Sequence, residues 1–305
     1  MKAVLLTGYG GPEMLRYGEA PDPVAGPGEV VVDVHAASVN AADYKVRQGG
    51  ANLEFPHILG RDFSGVVAAS GEGLGDFAIG DAVFGVTDQG VEGCYAEKLA
   101  IAAAIIARKP EGLGHAEAAA MGLTSLTALW AVEDTARLAP GETILVHGGA
   151  GGVAGFAIQL AKHLGATVVT TASAGNHDYV RSLGADRAID YHSEDFAETV
   201  ADCDVVFDTV GGEVQVRSYD VLKPGGRLVW IAAAPPGFLP SRRDVAVLRP
   251  IVARDRAHLE RMKALWAAGA VWPPAITRYK LADAASAHRV SEGRHLRGKL
   301  VLETR

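Results

Sequence analysis

Cysteine is scarce in this chain of 305 residues: there are two, Cys94 and Cys203, far apart in sequence. Two distant thiols exclude a disulfide framework and suit a reducing compartment. They also exclude a structural zinc lobe built on four cysteines. The ten histidines fall into no HExxH or paired-ligand spacing, so no metal site is expected. A basic excess is missing as well. The formal charge of −7 gives no general attraction to nucleic acid or to an acidic membrane surface. No apolar run approaches a membrane span. The apolar start, Ala3-Val4-Leu5-Leu6, is too short for a signal peptide. These absences lead us to expect a soluble cytoplasmic protein. Apolar residues make up 49 % and charged residues 21 %, a globular composition, and the length allows two domains.

What is present is glycine, concentrated in Val146-His147-Gly148-Gly149-Ala150-Gly151-Gly152-Val153-Ala154-Gly155. The apolar run Thr143–Val146 leads in, and a helical pattern from Gly155 to Lys162 leads out. Strand, glycine-rich turn and helix form the context in which a dinucleotide fingerprint carries meaning. In that reading Gly149 permits the tight turn, Gly151 lets a pyrophosphate approach the backbone, and Ala154 allows close helix–strand packing. The helix N-terminus offers unpaired N–H groups to the phosphates. The alternative is a βα loop that binds nothing.

The flanking chain supports the first alternative. Residues 1–119 read as β-rich, with strands at Ala3–Leu6, Val30–Val34, Asp62–Ala69, Ala82–Val86, Tyr95–Ile101 and Ile105–Ala107. Helices are expected at Ala116–Met121 and Thr124–Ala136, stopped by Pro140-Gly141. From Thr143 strands and helices alternate. The strands are Val168–Thr171, Arg187–Tyr191, Asp204–Asp208, and Arg227–Ile231 entered through the turn Lys223-Pro224-Gly225-Gly226. A short helix is expected at Asp178–Leu183. Near-continuous apolar strands in such a rhythm predict an α/β fold with a doubly wound parallel sheet over residues 120–270, its last helix at Asp255–Ala268. Val245–Leu248 reads as its last strand, an apolar edge that invites a homodimer. Residues 271–305 break the rhythm: strand Ala275–Tyr279, helix Ala282–Val290, strand Lys299–Leu302. This tail is expected to return to the N-terminal domain.

The order of parts resembles the medium-chain dehydrogenase/reductase superfamily, which pairs a GroES-like substrate domain with a Rossmann domain. The resemblance rests on Val39–Asp43 with Arg47 and Gly49, on Leu59–Val67, Gly80–Val83, Gly93–Glu97 and Leu123–Ala128, on the glycine stretch, and on Arg297–Val301. In detail it is similar to the zinc-independent quinone oxidoreductase branch, which includes zeta-crystallin relatives. Zinc-dependent members carry Cys where Asn40 stands, and Gly-His-Glu where Gly60-Arg61-Asp62 stands. Asn and Arg cannot replace thiolate and imidazole as zinc ligands.

The cofactor implied is NADPH. A site choosing NAD has an acid near the end of the second strand, and this strand ends Thr170-Thr171-Ala172-Ser173. Ser173, Asn176 and His177 can donate to a 2′-phosphate, and Tyr191 matches a phosphate-contacting tyrosine of the family. Ser173 has a second reading as a helix cap. No Lys or Arg stands at the strand end, and Arg181 lies further into the helix. Asp208 ends a strand at the carboxyl edge, where ligands bind in such sheets, and with Thr209 to Gly212 is expected to line the cofactor groove. With Gly149 and Gly151, the cofactor residues further include Ala150, Gly152, Val153, Val210, Ala232 and Lys299. The resemblance sets Asn40 and Thr124 at the nicotinamide end, though each has the bland reading of a helix cap. Asp43 and Arg47, at i and i+4, suit an intrahelical ion pair. Arg61-Asp62 suits substrate contact or a structural pair. Many relatives have a tyrosine where this chain has Ala51-Asn52, which leaves Tyr44 as the nearby proton-donor candidate. The implied function is hydride transfer from NADPH to a small quinone. The alternatives are a reductase of α,β-unsaturated carbonyls and a low-turnover NADPH-binding sensor.

Overall fold

The computed structural model describes every residue except Gly73, Leu74, Gly75, Gln89, Ser241 and Arg305. In chain order the elements are β1 (Lys2–Leu6), β2 (Leu15–Glu19), β3 (Glu29–Val39), α1 (Ala41–Lys45), β4 (His57–Ile58), β5 (Asp62–Ser70), β6 (Ala82–Val86), β7 (Lys98–Ala102) and β8 (Ile106–Arg108). Then come α2 (His115–Leu129), β9 (Thr143–Val146), α3 (Gly152–His163), β10 (Thr167–Ala172), α4 (His177–Ser182), β11 (Arg187–Asp190), α5 (Phe196–Thr199), β12 (Cys203–Asp208), α6 (Glu213–Arg217), β13 (Leu222–Trp230) and β14 (Ala246–Leu248). The last are α7 (Arg256–Ala267), β15 (Ile276–Lys280), α8 (Ala284–Glu292) and β16 (Lys299–Glu303).

The chain divides into two compact units. The first comprises Met1–Leu123, Arg254–Ala267 and Pro273–Arg305; the second comprises Thr124–Ala253 and Ala268–Trp272. The helix expected to close the Rossmann sheet, now α7, therefore groups with the first unit. The reason is on its surface: Arg256 donates to Ile106 O at 3.0 Å and pairs with Asp76, and Trp266 Nε1 donates to Glu111 O.

In the first unit β3 is the hub. It is dense in β-branched residues, which suits a pleated, half-buried surface, and pairs antiparallel with β5, β7 and β16. Leu300 faces Val39 and Leu302 faces Ala37, so β16 of the C-terminal tail is a strand of this sheet. Val32, Val34, Phe63, Tyr95, Leu300 and Leu302 share one core.

The second unit is a six-stranded parallel sheet in the order β11-β10-β9-β12-β13-β14. β12, the near-continuous apolar run, is buried at every residue because it lies inside the sheet. That order reverses direction between β9 and β12, and in open α/β sheets ligands bind beyond the strand carboxyl ends at such a switch point.

Two local readings are corrected. The helices expected at Ala116–Met121 and Thr124–Ala136 are one helix, α2, followed by a wide turn over Trp130–Thr135. Gly122 does not break it. Glycine is needed there because a Cβ would sit 2.9 Å from the Asp62 side chain. Lys223-Pro224-Gly225-Gly226 does not precede a strand but bulges within β13, where the pairing shifts from Cys203–Leu222 to Val205–Arg227. Such a bulge accommodates a proline that cannot donate to the ladder.

Candidate functional site

In the second unit the loop between β9 and α3 stands at the sheet's switch point. Gly148, not Gly149, makes the tight turn, with φ +74°. Gly149 is constrained differently: a Cβ there would lie 2.2 Å from Thr170 Oγ1. Gly151 has extended backbone, φ −76°, and a Cβ would meet only Gly148 O, at 3.3 Å. It therefore borders a cradle that even a small side chain would enter. Ala154 is buried, and Gly155 is the close-packing residue, with Leu183 at 3.1 Å from a would-be Cβ. Gly152 and Val153 open α3, where first-turn N–H groups have no intrahelical acceptor. Ala150, which precedes them, is buried. These residues fit a dinucleotide pyrophosphate, which needs backbone approach and unpaired N–H donors.

Around this loop, the strand ends differ in what they offer. After β10, Asn176 Nδ2 donates to Ser173 Oγ at 3.0 Å, and no carboxylate occurs before Asp178. Ser173 starts the turn that precedes α4, without a capping bond from its side chain. His177 Nε2 is buried without a partner. Arg181 pairs with Asp178 at 3.5 Å, one turn into α4. Tyr191, just beyond β11, is 45 % exposed and lies against the His192 ring. Asp208 was expected to line the groove, but its side chain is fully buried. Its carboxylate closes its own turn, accepting from Val210 N at 2.8 Å and Gly211 N at 2.9 Å, and burial raises its pKa. Val210 is the residue of that turn that faces outward, and Ala232 is half-buried, its carbonyl taken by Gln215.

In the first unit the residues around Asn40 form a buried polar network. Asn40 precedes α1 in extended conformation, and its N–H donates to Asp43 Oδ2 at 2.8 Å. Its Nδ2 donates to Asp62 Oδ1 at 2.6 Å, and its Oδ1 accepts from Lys299 Nζ at 2.6 Å. Lys299 donates also to Val39 O. Lys299, read as a cofactor residue, is instead spent on Asn40 and β3. Burial lowers its pKa, against the raising effect of Asp62 and Asp43. Asp62 further accepts from Leu123 N at 3.1 Å. Asp43 accepts from the Tyr95 hydroxyl at 2.8 Å, and burial pushes its pKa up to about 6.

The expected Asp43–Arg47 ion pair does not form. The helix gives way to a wide turn after Lys45, and Arg47 donates to Gly10 O at 2.6 Å and pairs with Glu292. Arg61 pairs with Glu92 at 3.1 Å rather than with Asp62. Tyr44 is buried, 6 % exposed, and its hydroxyl has no hydrogen bond among the described residues. Thr124 is buried within α2 rather than at the start of a helix. Sequence reasoning overlooked Asp62 and Lys299 as partners of Asn40, Tyr95 as the partner of Asp43, and His147 as a partner of the loop. None carries a local signal, since Lys299 lies 259 residues from Asn40 along the chain.

Residues 26–111 match the profile of the alcohol dehydrogenase GroES-like domain, and residues 183–302 that of zinc-binding dehydrogenases. The chain belongs to the medium-chain dehydrogenase/reductase superfamily and is an oxidoreductase of that class. Within it, the chain falls in the quinone oxidoreductase-like group. The quinone oxidoreductase of Coxiella burnetii is 35 % identical, with a TM-score of 0.92 over 100 % of this chain and 99 % of that one. The quinone oxidoreductase of Escherichia coli, solved in complex with NADPH, is 28 % identical, with a TM-score of 0.91 over 99 % and 100 %. The 2-methylene-furan-3-one reductase of Solanum lycopersicum is 38 % identical over 78 % of this chain and 64 % of its own length. A mycocerosic acid synthase-like polyketide synthase of Mycobacterium tuberculosis is 34 % identical over 91 % of this chain, which spans 14 % of that enzyme.

Proposed function

We propose that this chain is an NADPH-dependent reductase that delivers hydride to a small quinone without a metal ion. The carrying observation is the glycine loop, whose open side at Gly151 and free first-turn amides suit a pyrophosphate. When bound, the nicotinamide supplies the hydride; the protein supplies orientation and a dry surface. The choice of NADPH is supported by Ser173, Asn176, His177 and exposed Tyr191 where an NAD site would have an acid. The NADPH complex of the Escherichia coli neighbour agrees with it. Titration calorimetry should give tighter binding of NADPH than of NADH; equal affinity, or an NADH preference, rejects this choice.

A metal-free site is supported by the positions that would hold zinc ligands. Asn40 Oδ1 already faces the Lys299 ammonium, which would repel a cation, and Arg61 brings a second positive charge paired with Glu92. Asn40 and Thr124 remain our candidates for the nicotinamide end. Their substrate preference follows from proton demand. A quinone takes protons from water, whereas an enone develops enolate charge that needs preorganised donors. Asn40 has both ends of its amide committed, which favours quinones. The enone reading is supported by the tomato relative and by the uncommitted Tyr44 hydroxyl.

The test is kcat/KM for benzoquinone and naphthoquinone beside enones and enals of similar size, on chelator-dialysed protein. We expect quinones to lead by about tenfold or more, since the missing donor is worth more than one hydrogen bond. Clearly faster enones select the enone reductase, with Tyr44→Phe as the next variant. Activity lost on dialysis and restored by zinc rejects the metal-free site. Tight NADPH binding without turnover of any acceptor selects the sensor.

A further inference from the structure

We propose that His147 is a positioning residue for the cofactor loop, acting through the Thr171 hydroxyl on the amide of Gly148. The proposal rests on the dinucleotide-binding reading of the loop. It begins with a count of protons. A hydroxyl has one to give. Ser218 Oγ gives its proton to Val214 O, at 2.6 Å. Its 3.0 Å contact with His147 Nε2 must then run the other way, from Nε2–H to Oγ. That assigns His147 to the Nε2–H tautomer and leaves Nδ1 a bare acceptor. Nδ1 lies 3.2 Å from Thr171 Oγ1, so it takes the threonine proton. The lone pair of Thr171 Oγ1 is thereby turned to the Gly148 N–H, at 3.1 Å.

Thr171 holds the loop twice, because its carbonyl also accepts from Gly149 N at 2.9 Å. The first of those two amides belongs to the residue in the left-handed turn, φ +74°. The imidazole is itself immobilised. It is 1 % exposed, stands edge-on to the Phe196 ring at 4.6 Å, and its backbone is tied to Phe207 O and to the Thr209 hydroxyl. Burial holds its pKa down to about 3, so the bare Nδ1 persists at working pH. Ordering four groups in one sense fixes the loop before any ligand arrives. A ligand then spends less binding energy on ordering it.

Three variants and three readouts test this. His147→Leu removes the acceptor. His147→Asn keeps an oxygen near the Nδ1 position. Thr171→Val removes the hydroxyl at constant shape. NADPH affinity is read by fluorescence titration, and Gly148 amide exchange by NMR. We expect His147→Leu and Thr171→Val to raise Kd about tenfold, on the order of one hydrogen bond, with His147→Asn recovering most of it. Gly148 exchange should quicken in the same order. Unchanged Kd and exchange in His147→Leu overturns the proposal. Should that variant not fold, Thr171→Val decides on the same criteria. Nitrogen-15 shifts of the wild-type imidazole must give the Nε2–H tautomer; Nδ1–H overturns the proposal with no variant at all. If the wild type binds no NADPH, the dinucleotide reading fails alone. Gly148 exchange then still decides whether His147 holds the loop.

Discussion

At the scale of single residues, the site is governed by which side of each group is left open. Gly149 and Gly151 look alike in sequence, yet a Cβ meets Thr170 at 2.2 Å at the first and only one carbonyl at the second. Gly151→Val should therefore fold with a melting temperature within a few degrees of wild type and lose NADPH binding, because the side chain fills the pyrophosphate's approach. Gly149→Val should lose stability by about 1–3 kcal/mol or more, as overpacking does. Thermal melts beside cofactor titration separate the two. A stable Gly151→Val variant with unchanged affinity would show that the loop is only structural. Asn40 follows the same logic: it was legible as a candidate, but its amide is already spent on Asp62 and Lys299.

At the scale of elements, the informative cases are those where a neighbour overrides local preference. The two helices expected over Ala116–Met121 and Thr124–Ala136 run together as α2, with glycine at 122 where Asp62 leaves no room for a side chain. β14 is the outermost strand of the parallel sheet, and Val247 on it is 41 % exposed. An unpaired apolar edge favours strand addition by a second copy. We expect light scattering to give a dimer at micromolar concentration and Val247→Lys to shift it towards monomer. A wild-type monomer under those conditions removes this interface.

At the scale of the whole molecule, acid stability sums over buried groups. Burial lowers the pKa of His147 and His288 to about 3 and that of His115 to about 4, with His35 and Lys109 adding to the last and Arg47 to His288. Each is neutral when folded, while the unfolded chain takes a proton below about 6.5. Their stabilisation is complete above that pH and is lost as pH falls towards 4. Asp43 works in the opposite sense. With a folded pKa of about 6, its contribution is present in acid and fades as pH rises from about 4 to 6. Asp208, whose pKa burial also raises, acts in the same sense as Asp43; three histidines outweigh two carboxyls, so the urea midpoint should fall between pH 7 and pH 5. His147→Asn should flatten that slope by about one proton. A midpoint that rises over this range contradicts the burial of these rings.

The alternating period of the second unit and the glycine loop could be read from the chain. Each depends on residues near in sequence or on a repeating apolar pattern, and local sterics and burial enforce both. The absence of an acid after β10 was legible for the same reason. The partners of Asn40, the placement of α7 with the first unit and the tautomer of His147 were not. Each depends on which distant atoms meet: Lys299 on Asn40, Arg256 on Ile106, Ser218 on His147. A buried donor or acceptor must find a partner, but its own neighbours in sequence do not say which. That choice is made when the sheets close and water leaves, and only the tertiary structure decides it.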